Sequence, residues 1–483
     1  MPGARLTDER LAAAVVLGFL AVRLLAASFT DLVPDEAYYW LWSRHPAASY
    51  YDHPPMVAWW MWLGTALFGN STLAVRLLSM LTVLPASAAL YATGRRLFTA
   101  PIAAVAVVFL NASILLGTGG FLATPDAPSM LFWTLGIYAF VAALQSGRPV
   151  WWLALGIFAG LGFLSKLTNL FFGLGIGLAL VSDRNARSWL LTPWPWLAAL
   201  AAAAVTTPMI VWNAGHDWVT FTKQMGRIGS GGWAPWHLPE FIAVQALLLN
   251  PAVAVLLGLA VIGWWRDAPA GERRGIAMLL ATAAPLLAYF AFHALHGRIE
   301  GNWPAPVYPT LALIAAAGAS RIGDSRHWPR RIQASVAPVG AVTAMIGLLV
   351  FALPGLLPPK IDFARLVRGW AELADAAGSL RSAAGAAWIG TTQYGVTGEL
   401  AYHLRDRDVP VVQVTDRVRY DYEGGDAAAI AGPGILVTDG GVEALRSCFA
   451  DIAPVGTATR GAYGTFGLFR VDGARPGILA GKC

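Results

Sequence analysis

Apolar runs long enough to cross a bilayer recur between residues 11 and 354, and they constrain the fold more than any other feature of the sequence. A helix needs roughly 17 to 25 apolar residues to traverse about 30 Å of hydrocarbon. Within that layer backbone polar groups must be paired inside the chain, which a helix achieves. Of the 483 residues, 57% are hydrophobic and 13% charged, where a soluble chain carries about 25% charge. The sequence therefore describes a polytopic α-helical membrane protein. Spans are expected near 11–29, 72–93, 100–118, 128–145, 151–165, 168–182, 194–212, 240–265, 276–294, 303–320 and 334–354, about eleven in all.

The formal charge of +6 does not indicate a nucleic-acid partner, because the arginines sit in short connections between spans. These are Arg95-Arg96, Arg148, Arg184 with Arg187, Arg266 with Arg273-Arg274, and Arg321 through Arg330-Arg331. With eleven crossings all of them lie on the side of the N-terminus, which the positive-inside rule makes cytoplasmic. Loops 30–71, 119–127, 166–167, 213–239 and 295–302 and the C-terminal tail then face outward. Residues 1–10 contain Asp8 and Glu9 and no cleavage pattern, so the first apolar run reads as a retained span. The segment 54–71 is short and rich in indole, with Trp59, Trp60 and Trp62, and suits a helix lying in the interface.

From about Lys360 the long apolar runs stop. Residues 1–357 form the expected transmembrane domain, with 30–71 as its catalytic loop, and 358–483 a small α/β domain on the periplasmic side. In it 362–384 and 397–404 read as helices, and 387–390, 409–414 and 434–437 as strands. Cys448 and Cys483 both lie there; a disulfide suits an oxidising compartment, but Cys483 ends the sequence and a frayed terminus stays open as the alternative. The alanine-rich stretch 199–205 suits close helix packing.

The outward loops hold the residues with chemistry. Asp35 and Glu36 follow Pro34 at an expected helix start beside Tyr38-Tyr39-Trp40. Acids favour a first helical turn, but a carboxylate pair at a membrane face also suits removal of a proton from an incoming hydroxyl or amine. Asp52-His53 precedes Pro54-Pro55, which extend the chain. This pair could meet a phosphate or a divalent ion, the latter only with a further ligand such as His216, His237, His293 or His296; plain hydrogen bonding is the alternative. Asp126, in Thr124-Pro125-Asp126-Ala127-Pro128, is a third outward acid or a helix cap. Lys166, at the tip of a tight hairpin, needs an anionic partner, either a lipid phosphate or ordinary headgroups reached by snorkelling. In 296–304, Arg298 could clamp a phosphate or pair with Glu300, while Asn302 and Trp303 could contact a sugar. The glycine-rich 226–233 fits no phosphate-loop pattern and reads as a lid or acceptor-side loop.

Together, Asp35-Glu36, Asp52-His53-Pro54-Pro55, Thr124 to Pro128, Gly162-Phe163-Leu164-Ser165-Lys166, Asn302-Trp303-Pro304 and Arg419-Tyr420-Asp421-Tyr422 carry a resemblance over nearly the whole chain. The sequence resembles bacterial polyprenyl-phosphate-sugar-dependent glycosyltransferases of the C-type membrane fold, the superfamily of the protein mannosyltransferases and the lipid A aminoarabinose transferases. The resemblance implies that Asp35 is a general base activating the acceptor, with Glu36 assisting. It implies that Lys166 and Arg298 hold the donor phosphate and that Asp52, His53, Asp126 and Asn302 belong to donor binding. Aminoarabinose transferases carry Glu-Lys before Pro-Pro where this chain has Asp52-His53, which leaves metal use unknown. Their protein-modifying relatives insert a large luminal module that is missing here, which argues against a protein acceptor. The implied enzyme moves a sugar from a polyprenyl-phosphate donor to a periplasmic envelope lipid, glycan or protein, in a bacterial inner membrane, by one inverting displacement. A transporter of lipid-linked sugars is the alternative; charges gathered at one face rather than at mid-span argue against it.

Overall fold

The structure, a computed structural model, describes residues 8–227, 231–267, 269–325, 327–423 and 430–480. Among the described residues six helices are long and apolar enough to cross a membrane: Asp8–Phe29, Thr72–Leu97, Asp126–Ser146, Trp194–Ala214, Ala270–Ala294 and Pro329–Ala352. A seventh candidate is the pair His237–Leu248 and Pro251–Gly263, bent by 111°. Five shorter apolar helices are Met56–Phe68, Ala100–Asn111, Pro149–Phe163, Leu167–Ser182 and Ala305–Ser320. The eleven expected crossings correspond to the six, the bent pair and four of the short helices, Met56–Phe68 being the one expected in the interface. By length and composition alone the crossings number six, or seven with the bent pair.

The chain forms two compact units, and the division differs from a single cut at 357/358. The first holds Met1–Leu25, His53–Val57 and Leu77–Leu348; the second holds Ala26–Asp52, Ala58–Arg76 and Leu349–Cys483.

Within the first unit, small residues let helix backbones approach. A Cβ on Gly156 would fall 2.1 Å from the Ala198 carbonyl oxygen, and one on Gly160 would fall 2.7 Å from Val205 Cβ. The Pro149–Phe163 helix thus rests on the alanine-rich face of Trp194–Ala214, as the 199–205 composition leads one to expect. The 111° bend has an identifiable cause. Asn250 takes a left-handed φ of 85°, which Asn tolerates better than most residues, and Pro251 follows it. Its buried amide donates to the carbonyls of Ala112 at 3.1 Å and Val336 at 3.2 Å, while its Oδ1 accepts from Ala252 N. Those bonds meet backbone groups that a break inside an apolar layer would otherwise leave unpaired.

The second unit is built on a five-stranded sheet. Its strands are β1 (Trp388–Thr391), β2 (Val411–Gln413), β3 (Gly434–Thr438), β4 (Asp451–Thr459) and β5 (Thr465–Asp472), in the order β2-β1-β3-β5-β4. β1 runs parallel to β2 and β3, and β5 antiparallel to β3 and β4. Strand alternation divides the core. Ile389, Ile435 and Val437 face the helices Trp370–Ala383 and Tyr394–His403, while Trp388, Val412 and Leu436 pack with Phe449 and buried Cys448 on the other side. Cys483 lies outside the described residues.

Candidate active site

In the second unit, Pro34 opens the Pro34–Arg44 helix and Glu36 caps it, accepting the Val33 amide at 3.0 Å. Glu36 through Ser43 are buried. Glu36 also takes a bidentate pair from Arg76, Nε to Oε1 at 2.8 Å and Nη2 to Oε2 at 2.6 Å, with both side chains fully buried. Arg76 further donates to Thr30 and to the Asp31 carbonyl. The residue expected to assist the base is therefore committed to holding the helix. Asp35, by contrast, stays exposed. Its Oδ1 accepts the Tyr394 hydroxyl at 2.7 Å. The Tyr394–His403 helix reaches it because two glycines leave no side chain in the way. A Cβ on Gly395 would lie 2.6 Å from Pro34 Cβ, and one on Gly398 2.7 Å from the Tyr38 amide.

Asp52 belongs to the same cluster. It pairs with Arg419, and its Oδ2 accepts the Tyr38 hydroxyl at 3.2 Å. The Arg419 guanidinium also lies 4.5 Å from the Tyr394 ring centre and bonds Asp416 at 2.8 Å. Desolvation, with the Asp52 and Glu36 charges adding to it, raises the Asp35 carboxyl above its ordinary range against the pull of the Tyr394 bond and of Arg419. Burial works against the Arg419 charge, but Asp52 and Asp416 outweigh it and keep the guanidinium firmly protonated.

In the first unit, the Pro149–Phe163 helix ends where the amides of Ser165 and Lys166 return to the Gly162 carbonyl, both at 3.0 Å. The buried Lys166 Nζ then bonds Asp126 Oδ1 at 2.6 Å, and Asn302 Nδ2 bonds the other carboxylate oxygen, also at 2.6 Å. Asp126 begins its helix but does not cap it, since its oxygens serve these partners. The Pro54-Pro55 segment joins the same place, the Met56 amide donating to the Leu164 carbonyl at 3.1 Å. His53 is half-buried. Arg298 is not in this group. It is exposed and pairs with Glu240, not Glu300, at 3.1 Å, and Glu240 also accepts His237 Nδ1 at 2.9 Å.

Of the expected residues, the fold therefore gathers Asp126, Lys166 and Asn302 in one cluster, and Asp35, Glu36 and Asp52 in another. Sequence reasoning passed over Arg76 and Tyr394. Arg76 was detectable as a lone charge inside an apolar helix; nothing local marks Tyr394. In the glycine-rich 226–233 segment, 228–230 lie outside the described residues. Among the described residues no three His, Cys, Asp or Glu side chains are grouped as a metal site would require.

Residues 52–212 match the family model described as dolichyl-phosphate-mannose-protein mannosyltransferase. A lipid A galacturonosyltransferase, RgtD of Rhizobium johnstonii, is 26% identical over 88% of this chain and 90% of its own. An undecaprenyl phosphate-alpha-4-amino-4-deoxy-L-arabinose arabinosyl transferase of Pseudomonas paraeruginosa is 25% identical over 80% and 82%. The crystal structure of ArnT from Cupriavidus metallidurans bound to undecaprenyl phosphate shares the fold, with a TM-score of 0.69 at 15% identity over 95% of this chain and 98% of that one. With an acid-bearing helix after its first apolar span and relatives matched along most of its length, the chain is similar to the bacterial C-type membrane glycosyltransferases, the superfamily of the protein mannosyltransferases and the aminoarabinose transferases.

Proposed function

We propose that the protein transfers a sugar from a polyprenyl-phosphate carrier to a lipid A-type acceptor at the periplasmic face of the inner membrane. The observation that carries this reading is Asp35, an accessible carboxylate immediately before the buried run Glu36–Ser43, fixed by Tyr394 and with a raised pKa. Such a group suits general-base work, because its proton affinity is moved toward the working pH. The acceptor hydroxyl gives its proton to Asp35 as its oxygen bonds to the anomeric carbon. The bond from that carbon to the phosphate oxygen breaks, and the carrier leaves as a phosphate. In the first unit Lys166, oriented by Asp126 and Asn302, is a cation of the kind that such a developing charge requires. A single attack inverts the anomeric centre. Glu36 and Arg76 hold the helix, and Asp52 with Arg419 fixes the surroundings of the base.

The lipid A acceptor and the polyprenyl donor are supported by the names of the relatives. The test is transfer by purified protein from an undecaprenyl-phosphate-linked sugar to lipid A, followed by mass spectrometry. Asp35→Asn should be expressed and folded yet lose at least about 100-fold in transfer. Near-normal transfer by that variant would remove Asp35 from the role, and no transfer by the native protein to any envelope lipid would reject the acceptor class.

A further inference from the structure

A cavity of about 300 Å³ in the first unit is lined by Arg23, Ser79, Thr82, Thr124, Asp126 and Asn302 together with apolar side chains. That volume lies within the range of small-ligand sites. Its carboxylate is already matched, since Asp126 bonds both Lys166 and Asn302. Arg23 is not matched. It stands in the long apolar helix Asp8–Phe29 and is 2% exposed. Its Nε donates to the Leu116 carbonyl at 2.8 Å, its Nη2 has no hydrogen-bond partner, and no carboxylate among the described residues pairs with it. Gly120 keeps this place open, because a Cβ there would come within 3.1 Å of Arg23 Nε.

A buried guanidinium with an idle donor is costly in an apolar helix, where ionisable residues otherwise pair or line functional cavities. With Asp126 neutralised by Lys166, the charge the cavity presents is the positive one of Arg23. We propose that the cavity is an anion subsite in which Arg23 binds a carboxylate or phosphate of the donor. This deepens the proposed function and rests on it only for the identity of the donor. A carboxylate would belong to an acidic sugar, whose hydroxyls then meet Ser79, Thr124 and Asn302; a phosphate would belong to the carrier. A planar fork of donors suits either group.

Binding to the detergent-solubilised full chain, read by tryptophan fluorescence, tests the idea with galacturonate, neutral galactose and undecaprenyl phosphate as probes. The expected result is that one of the two anions binds, and that Arg23→Gln weakens it on the order of 10- to 100-fold. Arg23→Lys, which keeps the charge but not the fork, should fall between. Galacturonate bound in preference to galactose identifies the carboxylate; undecaprenyl phosphate alone responding to Arg23 identifies the phosphate. The comparison of galacturonate with galactose uses the native chain, so it stands even where a variant misfolds. Native protein that binds neither anion, or folded Arg23→Gln binding both as the native chain does, overturns the subsite. The proposed function fails separately, if the native chain binds an anion through Arg23 but transfers nothing from a polyprenyl-phosphate sugar.

Discussion

A carboxyl left near its ordinary pKa of about 4 is a weak base at neutral pH, and the surroundings of Asp35 correct this in opposing ways. Desolvation raises its pKa, while the Tyr394 hydroxyl, bonded at 2.7 Å, favours the charged form and lowers it. The base works only when ionised, so activity should fall as pH drops through its folded-state pKa. Tyr394→Phe removes the bond that favours ionisation, so that pKa rises further. The acid limb of kcat/KM should then move to higher pH, with activity largely recovered on the alkaline side; an unmoved limb would separate Tyr394 from the base. Lys166 poses a different problem, because removing it strands the Asp126 charge in a buried place. Lys166→Met should lose both stability and transfer. Adding Asp126→Asn should restore thermal stability without restoring transfer, and recovery of both would reduce the pair to a structural one.

At the scale of elements, the Pro34–Arg44 helix depends on a pair from outside itself. Glu36 and Arg76 are both fully buried, and breaking such a pair from one side leaves an uncompensated charge that costs about 3–5 kcal/mol. Arg76→Met should lower the unfolding temperature sharply, and Arg76→Met with Glu36→Gln should recover much of the loss. The same residues show why the site was only partly legible. Two acids after a proline read alike whether they catalyse or cap, and the partner that distinguishes them is 40 residues away. The spans were legible because apolar length is a local property. The β4–β5 hairpin was not, since β4 is mostly exposed and interrupted by a register shift at Pro454 and Gly456, so it shows no alternation. The helix that carries Tyr394 was expected only over 397–404, whereas in the structure it begins at Tyr394. Its true first turn is bound up with the Pro34–Arg44 helix, and that contact is invisible to any local window.

At the scale of the whole molecule, the number of crossings decides which face carries the chemistry, and the arginines choose between the counts. If the six long helices alone crossed, Asp8–Phe29 and Thr72–Leu97 would return Arg95 to the N-terminal side and Asp126–Ser146 would then carry the chain out. Arg148, Arg184 and Arg187 would all lie outside, against the positive-inside rule, and counting the bent pair changes nothing because it comes later. Letting Ala100–Asn111, Pro149–Phe163 and Leu167–Ser182 cross as well brings those arginines back inside. The first of these is lengthened by Ile114–Gly119 beyond a break at residues 112–113, so its shortness is less limiting than it looks. Reporter fusions should therefore place Arg184 in the cytoplasm with Arg95 and Arg273, and Asp35 and the C-terminal sheet in the periplasm. Arg184 is the discriminating position, since it is outside under six or seven crossings and inside under eleven. A periplasmic Arg184 would exclude these three short helices all crossing together, and the sidedness assigned to Lys166 would then have to be argued afresh.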